Sequence, residues 1–235
     1  MIVNIDNSES VKGFVSKIAE NWFNPETMYS DLKANGKTAS SGFWGIPKDL
    51  LNIVSEYLNQ TSNEFVTKWN EKCSTYDTKI MGYHCTRHSN EKVFAENGVL
   101  PLSDETITIA ENINNNIVAK ETWESRSQKS PGPWFLLSYE DAKNPNNDYC
   151  INGPEILRAC SGHQPNVDTA NSIPLILHCA IPYSMLHDKN YFIFCILRAY
   201  FNFIDPEDGF NFNGYSIDLA GRKLEPMHII NYEKI

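Results

Sequence analysis

Glycine-rich phosphate loops are absent from this sequence. Its 12 glycines form neither a Gly-x-Gly-x-x-Gly pattern nor a Walker arrangement, so a nucleotide would have to be bound without a Rossmann turn or a P-loop. No His-x-x-x-His pair, acidic cluster or other metal-ligand spacing stands out either. Because metal sites usually leave such spacings in a sequence, we expect no bound metal.

Paired cysteines and long apolar runs are also missing. The six cysteines include no Cys-x-x-Cys pair, which argues against a zinc ribbon and a thioredoxin-like motif. Cys179 and Cys195 lie within apolar runs, where a cysteine usually behaves as a small buried hydrophobe. The first residues do not form a signal peptide, and no apolar run approaches the length of a membrane span. We therefore expect a reduced, cytoplasmic protein that does not contact a membrane.

Positive charge is in deficit. The chain has 20 basic and 29 acidic residues, which give a formal net charge of -9. Because this excess repels the phosphate backbone, nucleic acid is disfavoured as a partner. The hydrophobic content of 41% is sufficient for a substantial core, so global disorder is not expected.

The N-terminal part of the chain shows helical periodicity. Apolar residues recur at helical spacing in three segments that begin near Ser8, Pro47 and Ser62. We expect Pro25 to end the first helix and Pro47 to occupy the first turn of the second. No residue in this part has evident chemistry, so we interpret residues 1–79 as a helical N-terminal region.

Residues 80–235 are predicted to be rich in strands. Compact apolar segments at Trp134–Ser138 and Ile173–Ala180, and the C-terminal segment Met227–Tyr232, favour strands. The longest apolar stretch, Tyr191–Phe203, fits either a long strand or a buried helix, because its periodicity does not decide between them. The expected fold class is α+β, with helices first and a strand-rich domain after them.

One segment of this second part carries unusual polar chemistry. Met81–His88 predicts a strand whose end presents His84, Thr86 and Arg87. A short helix follows and closes on Asn97-Gly98, a typical helix stop. Three hydrogen-bonding side chains within four residues are uncommon at a strand terminus.

A strand that ends in His-x-Thr, followed by a helix closing on an Asn-Gly-hydrophobic turn, resembles the first motif of the ADP-ribosyltransferase fold. The resemblance is close over residues 81–100 and looser over the rest of the strand-rich part. It implies an ADP-ribosyltransferase-like mixed sheet and NAD as the cofactor. His84, Thr86 and Arg87 are then the expected cofactor-binding residues, and the motif would hold the nicotinamide amide and a ribose hydroxyl. The alternative is a strand-end histidine that is hydrogen-bonded in a loop.

The resemblance also implies a stacking aromatic residue and a carboxylate. Tyr139, which follows the Trp134–Ser138 segment, is the expected stacking residue, although a half-buried tyrosine at a strand end is equally ordinary. The family usually places its catalytic glutamate at the start of a late strand, and Phe212–Ser216 contains no acidic residue there. Glu155, in Gly153-Pro154-Glu155, is the expected substitute. The helix that it precedes would favour its negative charge, and complementing the helix dipole is the alternative role.

These features predict an NAD-dependent ADP-ribosyltransferase-like enzyme. It would transfer ADP-ribose to a macromolecular acceptor, a protein rather than a nucleic acid, or hydrolyse NAD. The missing late glutamate leaves open a catalytically silent binding or inhibitor module on the same scaffold. A third alternative is an unrelated α+β protein with a chance His-x-Thr.

The scattered cysteines give a direct test of the expected compartment. All six should be free thiols, because none has the paired spacing of a disulfide-rich framework. Alkylation under denaturing conditions without reductant, followed by mass spectrometry, should modify every cysteine. A stable intramolecular disulfide would contradict the assignment to the cytoplasm.

Overall fold

The computed structural model describes residues 1–38, 46–88, 90–108, 120–129, 131–144, 172–208 and 214–235. These residues combine α-helices with six β-strands, which confirms the α+β class. The elements of the first part are β1 Ile2–Val3, α1 Ser8–Ala19, α2 Pro25–Ala34, α3 Pro47–Tyr57 and α4 Ser62–Thr75. The later elements are β2 Lys79–His88, α5 Lys92–Asn97, α6 Lys120–Lys129, β3 Trp134–Leu136, α7 Tyr139–Lys143, β4 Ile173–Pro182, α8 Lys189–Ile204, β5 Ser216–Asp218 and β6 Ile229–Lys234.

Contacts divide the chain into two compact units. The helical unit contains Met1–Ile80, Pro182–Ser184 and Asp188–Tyr215. The sheet unit contains Met81–Ile181, Met185–His187 and Ser216–Ile235. The predicted division at residue 79 therefore differs from the division by contacts, because the helical unit also takes in a later segment that contains α8.

Helix α8 settles the open interpretation of the longest apolar stretch. Tyr191–Phe203 lies within a helix, and the Asp188 side chain caps its first turn by accepting a hydrogen bond from the Tyr191 backbone N–H at 2.9 Å. Every residue from Phe192 to Phe201 is buried. A helix that is apolar on all sides needs neighbours on all sides, and α8 contacts α1, α3 and α4 within the helical unit.

The three predicted N-terminal helices are present as α1, α3 and α4. Asn7 caps α1 through a hydrogen bond from the Ser10 backbone N–H, and Thr61 and Glu64 form a reciprocal capping box at α4. Pro25 was expected only to end the first helix, and instead it opens α2 behind an Asn24 cap. Proline is well suited to a first helical position, since it has no N–H to leave unpaired.

The sheet unit is built around β2. The strand order is β5-β3-β2-β4-β6. Antiparallel pairing places Tyr83 of β2 opposite Leu136 of β3, and it aligns β3 with β5 and β4 with β6. Strand β1 pairs in parallel with the first two residues of β2, and both of these segments belong to the helical unit.

Two expectations from composition concern the described residues directly. Cys73, Cys85, Cys179 and Cys195 are free thiols, as predicted, and burial raises the pKa of Cys73 to about 12. Cys150 and Cys160 lie outside the described residues. Among the described helices, none is long and apolar enough to cross a membrane.

The core of the helical unit predicts a large effect for one substitution. Phe14 is buried on α1, and its ring lies 6.2 Å from the Trp69 ring and 6.4 Å from the Phe192 ring. Phe14→Ala should lower the free energy of unfolding by about 3–5 kcal/mol, because the surrounding side chains cannot close the cavity completely. The matched control is Gly13→Ala, since an added Cβ there meets no atom within 4 Å. That change should stabilise α1 by about 0.5–1 kcal/mol, and equal effects in urea denaturation would contradict this description of the core.

Candidate functional site

The side chains of β2 alternate between two faces of the sheet. Gly82, His84 and Thr86 lie on one face, which we call the His84 face. Tyr83, Cys85 and Arg87 lie on the other, which we call the Tyr83 face. The structure thus places His84 and Thr86 together, about 6.6 Å apart along the strand, and separates them from Arg87.

His84 is held in one tautomer. Its Nδ1 lies 2.9 Å from the backbone carbonyl oxygen of Trp134 in β3. A carbonyl oxygen only accepts hydrogen bonds, so Nδ1 carries the hydrogen and Nε2 of the neutral ring is an acceptor. Burial lowers the pKa of His84, while the Trp134 hydrogen bond acts in the opposite direction to a smaller extent. The ring is therefore neutral at physiological pH and offers Nε2 to a hydrogen-bond donor.

Thr86 presents a hydroxyl on the same face of β2 as His84. The residue as a whole is only 4% exposed. A threonine hydroxyl can both donate and accept a hydrogen bond. Together, the His84 acceptor and the Thr86 hydroxyl can recognise a ligand that carries both a donor and an acceptor, such as a carboxamide or a sugar hydroxyl.

Arg87, the third residue expected to bind the cofactor, points away from this pair. Its Nη2 donates to the backbone oxygen of Ser172 at 2.7 Å, and its Nε donates to the Ser172 hydroxyl at 3.3 Å. These bonds tie the end of β2 to the residue that precedes β4. In this arrangement Arg87 fixes the backbone next to the site.

Tyr139, the expected stacking residue, lies against the Tyr83 face. Its ring centroid is 5.4 Å from that of Tyr83 and 5.4 Å from that of His178. Its hydroxyl donates to the Glu233 carboxylate, at 2.7 Å from Oε1 and 2.6 Å from Oε2. The structure therefore does not bring Tyr139 to His84. The aromatic ring next to His84 is that of Phe135, at a centroid distance of 5.4 Å.

The Tyr83 face also contains a cluster that the sequence did not reveal. His178 Nε2 lies 3.1 Å from Glu233 Oε2, so one carboxylate interacts with both His178 and Tyr139. The Tyr139 hydrogen bond lowers the pKa of Glu233 and raises that of Tyr139. The signal available in the sequence was a single histidine, His178, within the otherwise apolar β4. Pairing of β4 with β6 is what brings the residues together.

Two other expectations concern the chemistry of the site. Glu155, the expected catalytic carboxylate, lies outside the described residues. No group of three His, Cys, Asp or Glu side chains that could hold a metal ion occurs among the residues that the structure describes.

Comparisons with family models, curated proteins and solved structures gave no match.

The cluster formed by Glu233, Tyr139 and His178 predicts a folding stability that depends on pH. The folded pKa of Glu233 lies below its ordinary value of 4.5, so its contribution is present above that value and is lost as the pH falls through the folded pKa. Glu233→Gln should destabilise the protein at pH 7 by about 1 kcal/mol, because a neutral amide accepts both hydrogen bonds less well. The difference from the wild type should narrow in acid.

Glu91→Gln is the matched control for this prediction. Glu91 also pairs with a residue of β6, since Lys234 Nζ lies 2.8 Å from its carboxylate, but this pair is exposed. An exposed ion pair contributes little to stability. In urea denaturation the control should therefore behave like the wild type, both at pH 7 and in acid. An equal loss in the two variants would show that the cluster has no special role.

Proposed function

We propose that the protein is an NAD-dependent ADP-ribosyltransferase-like enzyme that binds NAD at the His84 face of β2. It transfers ADP-ribose to a macromolecular acceptor, a protein rather than a nucleic acid given the net charge of -9, or to water. The observation that carries this proposal is the pair formed by His84 Nε2, left as an acceptor by the Trp134 hydrogen bond, and the Thr86 hydroxyl on the same face of the same strand.

The chemistry of NAD suits this pair. The nicotinamide carboxamide carries a donor and an acceptor, and each ribose carries hydroxyls that can donate to His84 Nε2. The Thr86 hydroxyl can donate or accept, so it can complement either group. The neutral imidazole adds no positive charge beside the pyridinium ring, which is itself cationic, and the lowered pKa of His84 keeps it neutral.

Transfer needs a carboxylate in addition to this binding pair. When nicotinamide leaves with the electrons of the glycosidic bond, positive charge develops on the sugar carbon, and a nearby carboxylate stabilises it. The same carboxylate can orient the acceptor or take up its proton. We assign this role to Glu155. Glu233 is a poorer candidate because it lies on the Tyr83 face and already interacts with Tyr139 and His178.

The position of Glu233 also favours a second candidate function, a catalytically silent NAD-binding or inhibitor module. Among the described residues, the carboxylate on the late strand β6 is committed to Tyr139 and His178. If Glu155 does not reach the ligand, the chain retains a binding pair without a catalytic group. The two candidates share the ligand and differ only in turnover.

Two substitutions test binding at the His84 face. His84→Ala should weaken NAD binding by about 1–3 kcal/mol, the usual cost of losing a hydrogen-bond partner. Thr86→Val should also weaken it, because the hydroxyl is lost while the branched shape of the side chain is kept. Calorimetric titration measures the affinities, and urea denaturation checks that both variants are folded.

The control for binding is His187→Ala, which removes an exposed histidine of the same unit. It should leave NAD affinity unchanged. The proposed site is wrong if the wild type shows no affinity for NAD. It is also wrong if His84→Ala and Thr86→Val both bind NAD as tightly as the wild type does.

A further substitution separates transfer from binding. Glu155→Gln keeps the size and hydrogen bonding of the side chain but removes its charge. NAD affinity should therefore be almost unchanged, and nicotinamide release should fall by roughly a hundredfold or more. Wild-type binding without any nicotinamide release would favour the silent module instead.

A further inference from the structure

The His84 ring is opposed by a specific aromatic side chain across the sheet. Tyr83 pairs with Leu136 in the antiparallel register of β2 and β3, so the next pair along the two strands is His84 and Phe135. The two ring centroids are 5.4 Å apart, and the planes are inclined by 49°. Directly opposed side chains are the closest neighbours that an antiparallel pair offers. Phe135 is 0% exposed, so it cannot contact a ligand itself.

The imidazole is thus held by two consecutive residues of β3. The Trp134 carbonyl oxygen accepts the Nδ1 hydrogen of His84. The Phe135 ring packs against the imidazole in a tilted arrangement, with the ring centroids 5.4 Å apart. Strand β3 is in turn paired with β5, where Phe135 is aligned with the buried Ile217. Close packing of this kind restricts the rotamers of the enclosed side chains.

Gly82 provides the space that Phe135 occupies. It lies two residues before His84 and on the same face of β2. A Cβ added to Gly82 would lie 2.6 Å from Cδ1 of Ile181 and 3.0 Å from Cβ of Phe135. The end of the Ile181 side chain could turn aside, but the Phe135 Cβ is attached directly to the backbone of β3. A larger residue at position 82 therefore requires the end of Ile181 to turn aside and Phe135 to shift by a few tenths of an ångström.

We propose that Phe135 is a positioning residue, which holds the His84 imidazole in the orientation that leaves Nε2 as the acceptor for the ligand, and that Gly82 favours this arrangement because it leaves room for Phe135. The identity of the ligand as NAD rests on the proposed function. The orientation of the imidazole does not depend on it, so the ligand and the orientation can be tested separately.

The test measures His84 directly in the full-length protein by ¹⁵N NMR of the imidazole, together with NAD titration. Phe135→Leu retains an apolar side chain and removes the ring. It should increase the population of the Nε2–H tautomer and move the His84 pKa towards its ordinary value, because the ring becomes more hydrated. NAD affinity should fall by about fivefold to a hundredfold, the range expected for one weakened hydrogen bond. Gly82→Ala should change the imidazole signals in the same direction.

Matched controls distinguish positioning from general loss of packing. Phe192→Leu makes the same substitution at a buried site of the helical unit, and Gly13→Ala adds a methyl group where no atom lies within 4 Å. Both should leave the His84 tautomer, its pKa and NAD affinity unchanged. Circular dichroism and urea denaturation identify any variant that has lost its fold.

Two results would overturn the inference. One is a Phe135→Leu protein that is folded and has the wild-type tautomer and pKa at His84. The other is an equal change at His84 in the Phe192→Leu control. If the wild type does not bind NAD at all, the proposed function fails, while the imidazole signals still decide whether Phe135 positions His84.

Discussion

The hydrogen bond from His84 Nδ1 to the Trp134 carbonyl oxygen determines what the candidate site can recognise. Because the carbonyl can only accept, the bond reserves the Nε2 lone pair for a donor. The bond exists only because β2 and β3 are paired in one register. A shift by one residue would turn His84 to the opposite face of the sheet. The chemistry of one imidazole therefore depends on the pairing of strands whose residues are 50 positions apart.

Gly82 shows that the His84 face of β2 is not optimised for strand stability alone. Glycine is unfavourable within a strand, and at this position its missing side chain leaves room for Ile181 and Phe135. Tyr83 and Ile176, by contrast, are buried in an ordinary apolar cluster on the other side.

Local signals predicted much of the fold, and long-range pairing accounts for what they missed. The helical spacing of apolar residues was sufficient for α1, α3 and α4, and short apolar segments were sufficient for β3, β4 and β6. The α8 segment was ambiguous because a helix buried on all sides has no polar face to show its period. The His84 and Thr86 pair was predictable from their spacing of two residues. The location of Tyr139 was not, since the face that it contacts depends on packing against Tyr83 and on the β4–β6 pairing.

Under the proposed function, the separation of the two faces makes NAD binding and ADP-ribose transfer depend on different residues. The binding pair is built by β2 and β3 alone, and its geometry needs neither Tyr139 nor Glu233. Those two residues satisfy each other on the opposite face, where the carboxylate cannot stabilise charge on a ligand held by His84. A transferase must therefore bring a different carboxylate to the His84 face, and we assign that role to Glu155. On this proposal, loss of that one group removes the reaction but not NAD recognition, so the two proposed functions, an enzyme and a silent binding module, differ by a single carboxylate.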